Sequence, residues 1–186
     1  MPSHSLFRSY GHPVGQAGHR VSRRRRPRRS GRKVFRHSSR VERLESRALL
    51  ATITVTSLAD NSVSDGEVTL REAIQAANSN TSVDGSAAGA GADTIIFAPS
   101  LFSAGAGQIE LSEFESTVHG DSGLLITSPI TITGPGADLL TITRDASAGL
   151  FRLFGASDSV LFQNVTLAGG ETPSDDGGGA VYAEAD

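Results

Sequence analysis

One stretch of this chain has the marks of a helix, and nearly everything after it is cut into short strands. Thr69 stands at an N-cap position and Glu72 follows three residues later. That pair is a capping box: each side chain satisfies a backbone N–H that the first helical turn leaves unpaired. Leu70, Ala73, Ile74 and Ala77 then recur at helical spacing as one apolar stripe. Asn78 and Ser79 supply the stop. With a single short helix available, the strands must find most of their cover in one another.

Those strands are brief and regularly punctuated. Thr52-Ile-Thr-Val-Thr56 alternates polar and apolar residues, the pattern of a half-buried strand. Asp60-Asn61 and Asp65-Gly66 mark turns before the helix, and Gly85 to Gly91 is a Gly/Ala-rich loop after it. Asp93-Thr-Ile-Ile-Phe97 and Gln108-Ile-Glu-Leu111 read as strands. From Leu124 the rhythm tightens: Leu124–Ile126, Ile130–Thr133, Leu139–Thr143, Leu150–Phe154, Val160–Gln163, Val165–Leu167 and Ala180–Tyr182. Strands of about four residues with a turn roughly every ten fit an all-β fold.

A sandwich and a parallel β-helix both meet that description, and the sharp turns favour the β-helix. Side-chain alternation then sends Ile130, Ile132, Leu140 and Ile142 inward, with Thr131, Thr133, Thr141 and Thr143 outward. Arg152 is expected to face solvent, which puts Phe151 and Leu153 inside. The alternation breaks at Phe162-Gln-Asn164. Asn tolerates the left-handed conformation, so Asn164 is read as a bend that lets Val160, Phe162, Val165 and Leu167 all reach the core.

Charge divides the chain sharply. Residues 1–51 hold 14 of the 17 Lys and Arg against two acids, a balance of +12; the remainder holds three Arg against 18 acids, or −15. Residues 1–51 are therefore treated as an Arg-rich leader and 52–186 as the folded part. The leader includes Arg23-Arg-Arg-Arg-Pro-Arg-Arg29 and few large apolar residues, so it is expected to be disordered. It could serve export, bind nucleic acid through its basic run, or have no partner. No apolar run approaches the roughly 20 residues of a transmembrane helix. The chain has no Cys, which excludes disulfides and thiolate metal sites.

Two resemblances rank these readings. Val41-Glu-Arg-Leu-Glu-Ser-Arg-Ala-Leu-Leu-Ala51 resembles the LEPR-XLL signal of bacterial surface proteins. Leu44, Glu45, Arg47, Leu49, Leu50 and Ala51 match it, and Ser46 stands where that signal has Pro. The resemblance implies export and sorting to the cell surface, with the export machinery as a partner. Val68-Thr-Leu-Arg-Glu-Ala73 resembles the motif of the CSLREA domain, which stands at the N-terminal end of bacterial β-helix surface proteins. Leu70, Arg71, Glu72 and Ala73 match, while Val68 and Thr69 replace its Cys and Ser. The later order also agrees: Gly91-Ala-Asp-Thr-Ile-Ile-Phe97, then Ile130-Thr-Ile-Thr-Gly-Pro-Gly136. Phe162-Gln-Asn164 and Gly177-Gly-Gly-Ala180 look like degenerate FxxN and GGAI elements of polymorphic outer membrane protein repeats; the first is one residue short. Together this resemblance covers about residues 52–186. It implies that the Thr69–Ala73 segment belongs to a structural cap.

Catalytic chemistry has little to stand on in the sequence. A pectate-lyase-like site needs clustered carboxylates around Ca²⁺ and a basic residue, and the folded part offers only Arg71, Arg144 and Arg152. Asp145 reads as a turn residue beside a surface charge at Arg144. Asp175-Asp176 lies in a glycine-rich loop. Glu113 and Glu115 would share one face of a strand without a partner base. His119, alone beyond the leader, makes neither a metal site nor a triad with Asp121. No GxSxG and no phosphate-binding loop is present.

The expectation is an all-β chain: the N-terminal part of a right-handed parallel β-helix with one capping α-helix, behind a disordered basic tail. Ala180–Asp186 looks like the start of a further turn, which suggests a longer repeat protein. The expected role is structural or adhesive at an extracellular bacterial surface, with surface polysaccharide or other surface proteins as partners. No catalytic, cofactor or metal residue is assigned. A carbohydrate-active β-helix enzyme with degenerate catalytic turns is the alternative, and a basic-tailed nucleic acid binder comes third.

Overall fold

A computed structural model describes residues 50–172 and 177–184. The expectations for the leader, for most of the sorting motif and for Asp175-Asp176 lie outside the described residues.

The fold is largely β, with parallel sheets and one α-helix. In chain order the elements are β1 (Thr52–Val55), α1 (Leu70–Ser79), β2 (Asp93–Phe97), β3 (Gly107–Leu111), β4 (Ser122–Ile126), β5 (Ile130–Thr133), β6 (Leu140–Arg144), β7 (Arg152–Ala156), β8 (Val160–Gln163), β9 (Thr166–Ala168) and β10 (Val181–Ala183). The first sheet has the order β1-β2-β5-β8, the second β3-β6-β9 and the third β4-β7-β10, and all these pairs are parallel. From β2 onward the chain visits the first, second and third sheets in that order, three times over.

Parallel pairing in register turns the sequence alternation into ladders. In the first sheet Ile53 lies beside Ile95, Ile95 beside Ile132 and Ile132 beside Phe162. Ile109, Ile142 and Leu167 repeat this in the second sheet, and Leu124, Phe154 and Val181 in the third. The earlier members of these ladders are fully buried and form one core with Leu70, Ala73, Ile74 and Ala77 of α1. The threonines alternate outward: Thr52, Thr94 and Thr131 are neighbours across the first sheet, and none of them is buried. Ile130, Ile132, Leu140 and Ile142 are buried as the alternation predicts.

Asn164 has φ 55°, the left-handed bend expected of it. Val160, Phe162, Val165 and Leu167 do pack against the core, but only partly buried, because β8 and β9 are outer strands of their sheets. The β7 segment departs from expectation. The strand starts at Arg152 rather than Leu150, and Leu150 is exposed. Arg152 does not face solvent: it is 1% exposed, between the equally buried Phe151 and Leu153. The cause lies in residues 115–122, which fold back through paired hydrogen bonds between Ser116 and Ser122. This turn covers the Arg152 side chain. A Cβ on Gly120 would stand 2.9 Å from its Nη2, and its guanidinium carbon lies 4.9 Å from the centre of the Tyr182 ring.

Candidate functional site

Of the sorting motif, Leu50 and Ala51 are described, whereas Leu44, Glu45, Arg47 and Leu49 lie outside the described residues. Leu50 is 69% exposed. Ala51 donates its N–H to Asp93 Oδ1 at 3.1 Å, which fixes the start of β1 against β2.

The Thr69–Ala73 motif is resolved residue by residue. Glu72 N–H donates to Thr69 Oγ1 and Thr69 N–H donates to Glu72 Oε2, so the capping box is closed in both directions. Leu70 and Ala73 are buried in the core. Arg71 reaches away from the helix and pairs with Asp60 at 2.7 Å and Glu115 at 3.1 Å. It also donates to Gly123 O at 2.9 Å. Seven residues on, Asn78 donates to Leu125 O and accepts from Thr127 N, both at 2.8 Å. Gly123, Leu125 and Thr127 lie on β4 and its continuation, and β4 is an outer strand of the third sheet. Two side chains of α1 thus bond backbone groups of the β4 edge, where a neighbouring strand would otherwise pair. Asn78 and Ser79 are the expected stop, and Ser79 is indeed the last helical residue, with Asn80 capping the helix in the left-handed conformation at φ 52°.

Among the described residues, the acidic candidates Glu113, Glu115 and Asp145 make structural contacts. Glu113 and Glu115 lie in a loop rather than on a strand, and both are drawn to Arg71, Glu113 through its carbonyl. Burial raises the Glu115 carboxyl above its ordinary value, and the Arg71 charge only partly opposes this. Asp145 is the expected turn residue. It accepts from Ser147 N and Oγ, and these bonds hold its carboxyl below the usual range. Arg144 is more than a surface charge. It donates to the carbonyls of Asp145, Ala148 and Gly169, and so ties the turn after β6 to the end of β9. Among the described residues no three His, Asp or Glu side chains come together as a metal site.

Among the described residues, the one constellation with chemical potential is assembled from residues far apart in sequence. The turn ahead of β4 carries His119 onto the third sheet, where Gly155 leaves room for it. A Cβ at Gly155 would lie 3.5 Å from His119 Cδ2 and 2.8 Å from Ser122 Oγ. The imidazole stacks on Tyr182 of β10, with ring centres 5.3 Å apart and planes inclined by 27°. Its Nε2 lies 2.7 Å from Ser157 Oγ, just past the end of β7. Its Nδ1 lies 3.9 Å from Glu184 Oε2, just past the end of β10. Ser157 and Glu184 are brought side by side because β7 and β10 are paired, Ala156 with Ala183. The His119 side chain is 7% exposed and the Glu184 side chain 63%. A cleft of about 510 Å³ opens here, lined by Val118, His119, Gly120, Tyr182 and Glu184.

Sequence reasoning dismissed His119 by looking at its neighbour Asp121. Its true partners are 38 and 65 residues away, and only the pairing of β4, β7 and β10 brings them together. Compared with known protein families, curated proteins and solved structures, the chain matches none.

Proposed function

We propose that residues 52–186 are the capped first turns of a right-handed parallel β-helix, in a protein exported to the bacterial cell surface. Its role there is structural or adhesive. The observation that carries this reading is the bonding of the β4 edge by Arg71 and Asn78. An open strand edge invites pairing with other chains, and a helix laid across it blunts that hazard at one end of a strand stack. The three-beat visit to three parallel sheets supports the β-helix, and the strong preference of parallel crossovers for one hand makes it right-handed. Export rests on the match of Leu44, Glu45, Arg47, Leu49, Leu50 and Ala51 to a surface-sorting signal, behind a basic leader.

The first sheet offers a face for ligands. Its outward positions run Thr52, Thr94, Thr131 and Leu161 in one row and Thr54, Ile96, Thr133 and Gln163 in the next, without a charge among them. Rows of hydroxyl and methyl groups at the strand spacing suit a neutral, repetitive partner such as a surface polysaccharide.

Fractionation of the native host followed by N-terminal sequencing tests the reading. Surface-associated protein beginning near Ala51 is the expected result. Cytoplasmic protein with its leader intact would overturn it. A lyase-like alternative predicts that Ca²⁺ raises the melting temperature, whereas the structural reading predicts no shift.

A further inference from the structure

We propose that Ser157, His119 and Glu184 form an acyl-transfer site that hydrolyses small, uncharged esters. This stands apart from the surface role and does not depend on it. The geometry is that of an activated nucleophile: a serine hydroxyl within hydrogen-bond reach of an imidazole, with a carboxylate on the far side of the ring. Three features go beyond a chance surface contact. The imidazole is more than nine-tenths buried, although it comes from a turn. Its plane is set by the Tyr182 ring, and Gly155 supplies the space beneath it. Ser157, by contrast, is exposed and can meet a substrate.

The chemistry follows from the two ring nitrogens. With the ring proton on Nδ1, facing Glu184, Nε2 is free to accept. Ser157 Oγ attacks the ester carbonyl carbon and passes its proton to Nε2. The tetrahedral adduct collapses, the bond to the leaving oxygen breaks, and that oxygen takes the proton from Nε2 as the alcohol departs. A water molecule then gives a proton to Nε2 and attacks the acyl-serine. Its collapse releases the carboxylic acid and returns the proton to Ser157. Glu184 is a positioning residue, holding the tautomer and the charge on the ring. Its own negative charge beside the ring disfavours anionic substrates, and Val118, 69% exposed on the turn that carries His119, offers an acyl chain an apolar contact.

The test uses the full chain with p-nitrophenyl acetate and a fluorophosphonate probe. Four of the five His lie in the leader, at 4, 12, 19 and 37, and free imidazole alone splits activated esters slowly. Ser157→Ala is therefore the deciding comparison, and its exposed position leaves the fold intact. The expected result is a fluorophosphonate adduct on Ser157, located by peptide mass spectrometry, and ester hydrolysis that falls to background in Ser157→Ala. His119→Gln should lower the rate by about 100-fold. Glu184→Gln should lower it by about tenfold and displace its pH profile. The proposal is overturned if Ser157 takes no label, if hydrolysis is as fast in Ser157→Ala, or if Glu184→Gln leaves both rate and pH profile unchanged.

Discussion

Single residues in this molecule are constrained most tightly where backbone approaches backbone. Gly89 is buried between α1 and β2. A Cβ there would come within 2.7 Å of Ala76 O and Asp93 Oδ2 and within 2.8 Å of Ala77 Cα. Two of these three neighbours are main chain and cannot swing away. Gly89→Ala is expected to cost about 1–3 kcal/mol, read as a lower urea midpoint at unchanged slope. Titration provides a second test, because two carboxylates move in opposite directions. At Asp84 burial works to raise the pKa, but bonds from Gly66, Ser64 and Asp65 outweigh it and the net shift is downward. That contribution to stability is present above the unfolded value near 3.8 and is lost as pH falls through the lower folded value. Glu115 is shifted up from 4.5, so the folded state holds its proton longer and its contribution weakens as pH rises through that window. Carboxyl NMR titration should resolve Asp84 below and Glu115 above their ordinary values; the reverse order would refute both assignments. Arg152 shows what a single-residue reading misses. Its neighbours Phe151 and Leu153 gave the right buried positions, but the cover over the arginine comes from Gly120 and Tyr182, about 30 residues away on either side.

At the level of elements, α1 was the most legible part of the chain and still held a surprise. The capping box and apolar stripe are local signals, so Thr69, Glu72, Leu70 and Ala73 could be assigned their places from sequence. The work of Arg71 and Asn78 at the β4 edge could not, because the backbone groups they bond there are 47 to 52 residues further on. Separating the two kinds of contribution is an experiment. Thr69→Ala removes the cap and is expected to cost about 1 kcal/mol. Asn78→Ala leaves the helix residues competent but takes a partner from both Leu125 O and Thr127 N, at a cost of about 1–2 kcal/mol. The distinguishing measurement is amide exchange. Thr127 N–H should exchange faster in Asn78→Ala than in Thr69→Ala at matched global stability. Equal rates would mean that the helix does not substitute for a strand at this edge. The strands were legible by period, and the β7 boundary failed where Phe151, Arg152 and Leu153 are all buried and alternation carries no signal.

Across the whole molecule, each interior strand pairs only with the strands one round earlier and one round later in its sheet. Sequence alternation announced short strands and inward isoleucines, but it held no record of which strand lies beside which. The register is fixed by turns and by ladders such as Ile53, Ile95 and Ile132, whose members are each equally good partners when read alone. The same absence of register hid the His119 site. Pairing confined to neighbours makes stability a local property that grows with the cover above and below each strand. Next to α1, Ile53, Ile95 and Leu124 are fully buried; on β8 and β9, Val160, Phe162 and Leu167 are only partly so. Native-state hydrogen exchange on the 186-residue chain should therefore show a gradient. Amides of β2 and of β5, which lies between β2 and β8, should be the slowest, and those of β8, β9 and β10 the fastest. Adding Gly89→Ala, which strikes the α1–β2 contact, should steepen exchange in β1 and β2 first and shift the slowest amides toward β5 and β6. One common rate across all three sheets, in the parent and in the variant alike, would instead mean that the core opens as a single cooperative unit, and nearest-neighbour stacking would not describe it.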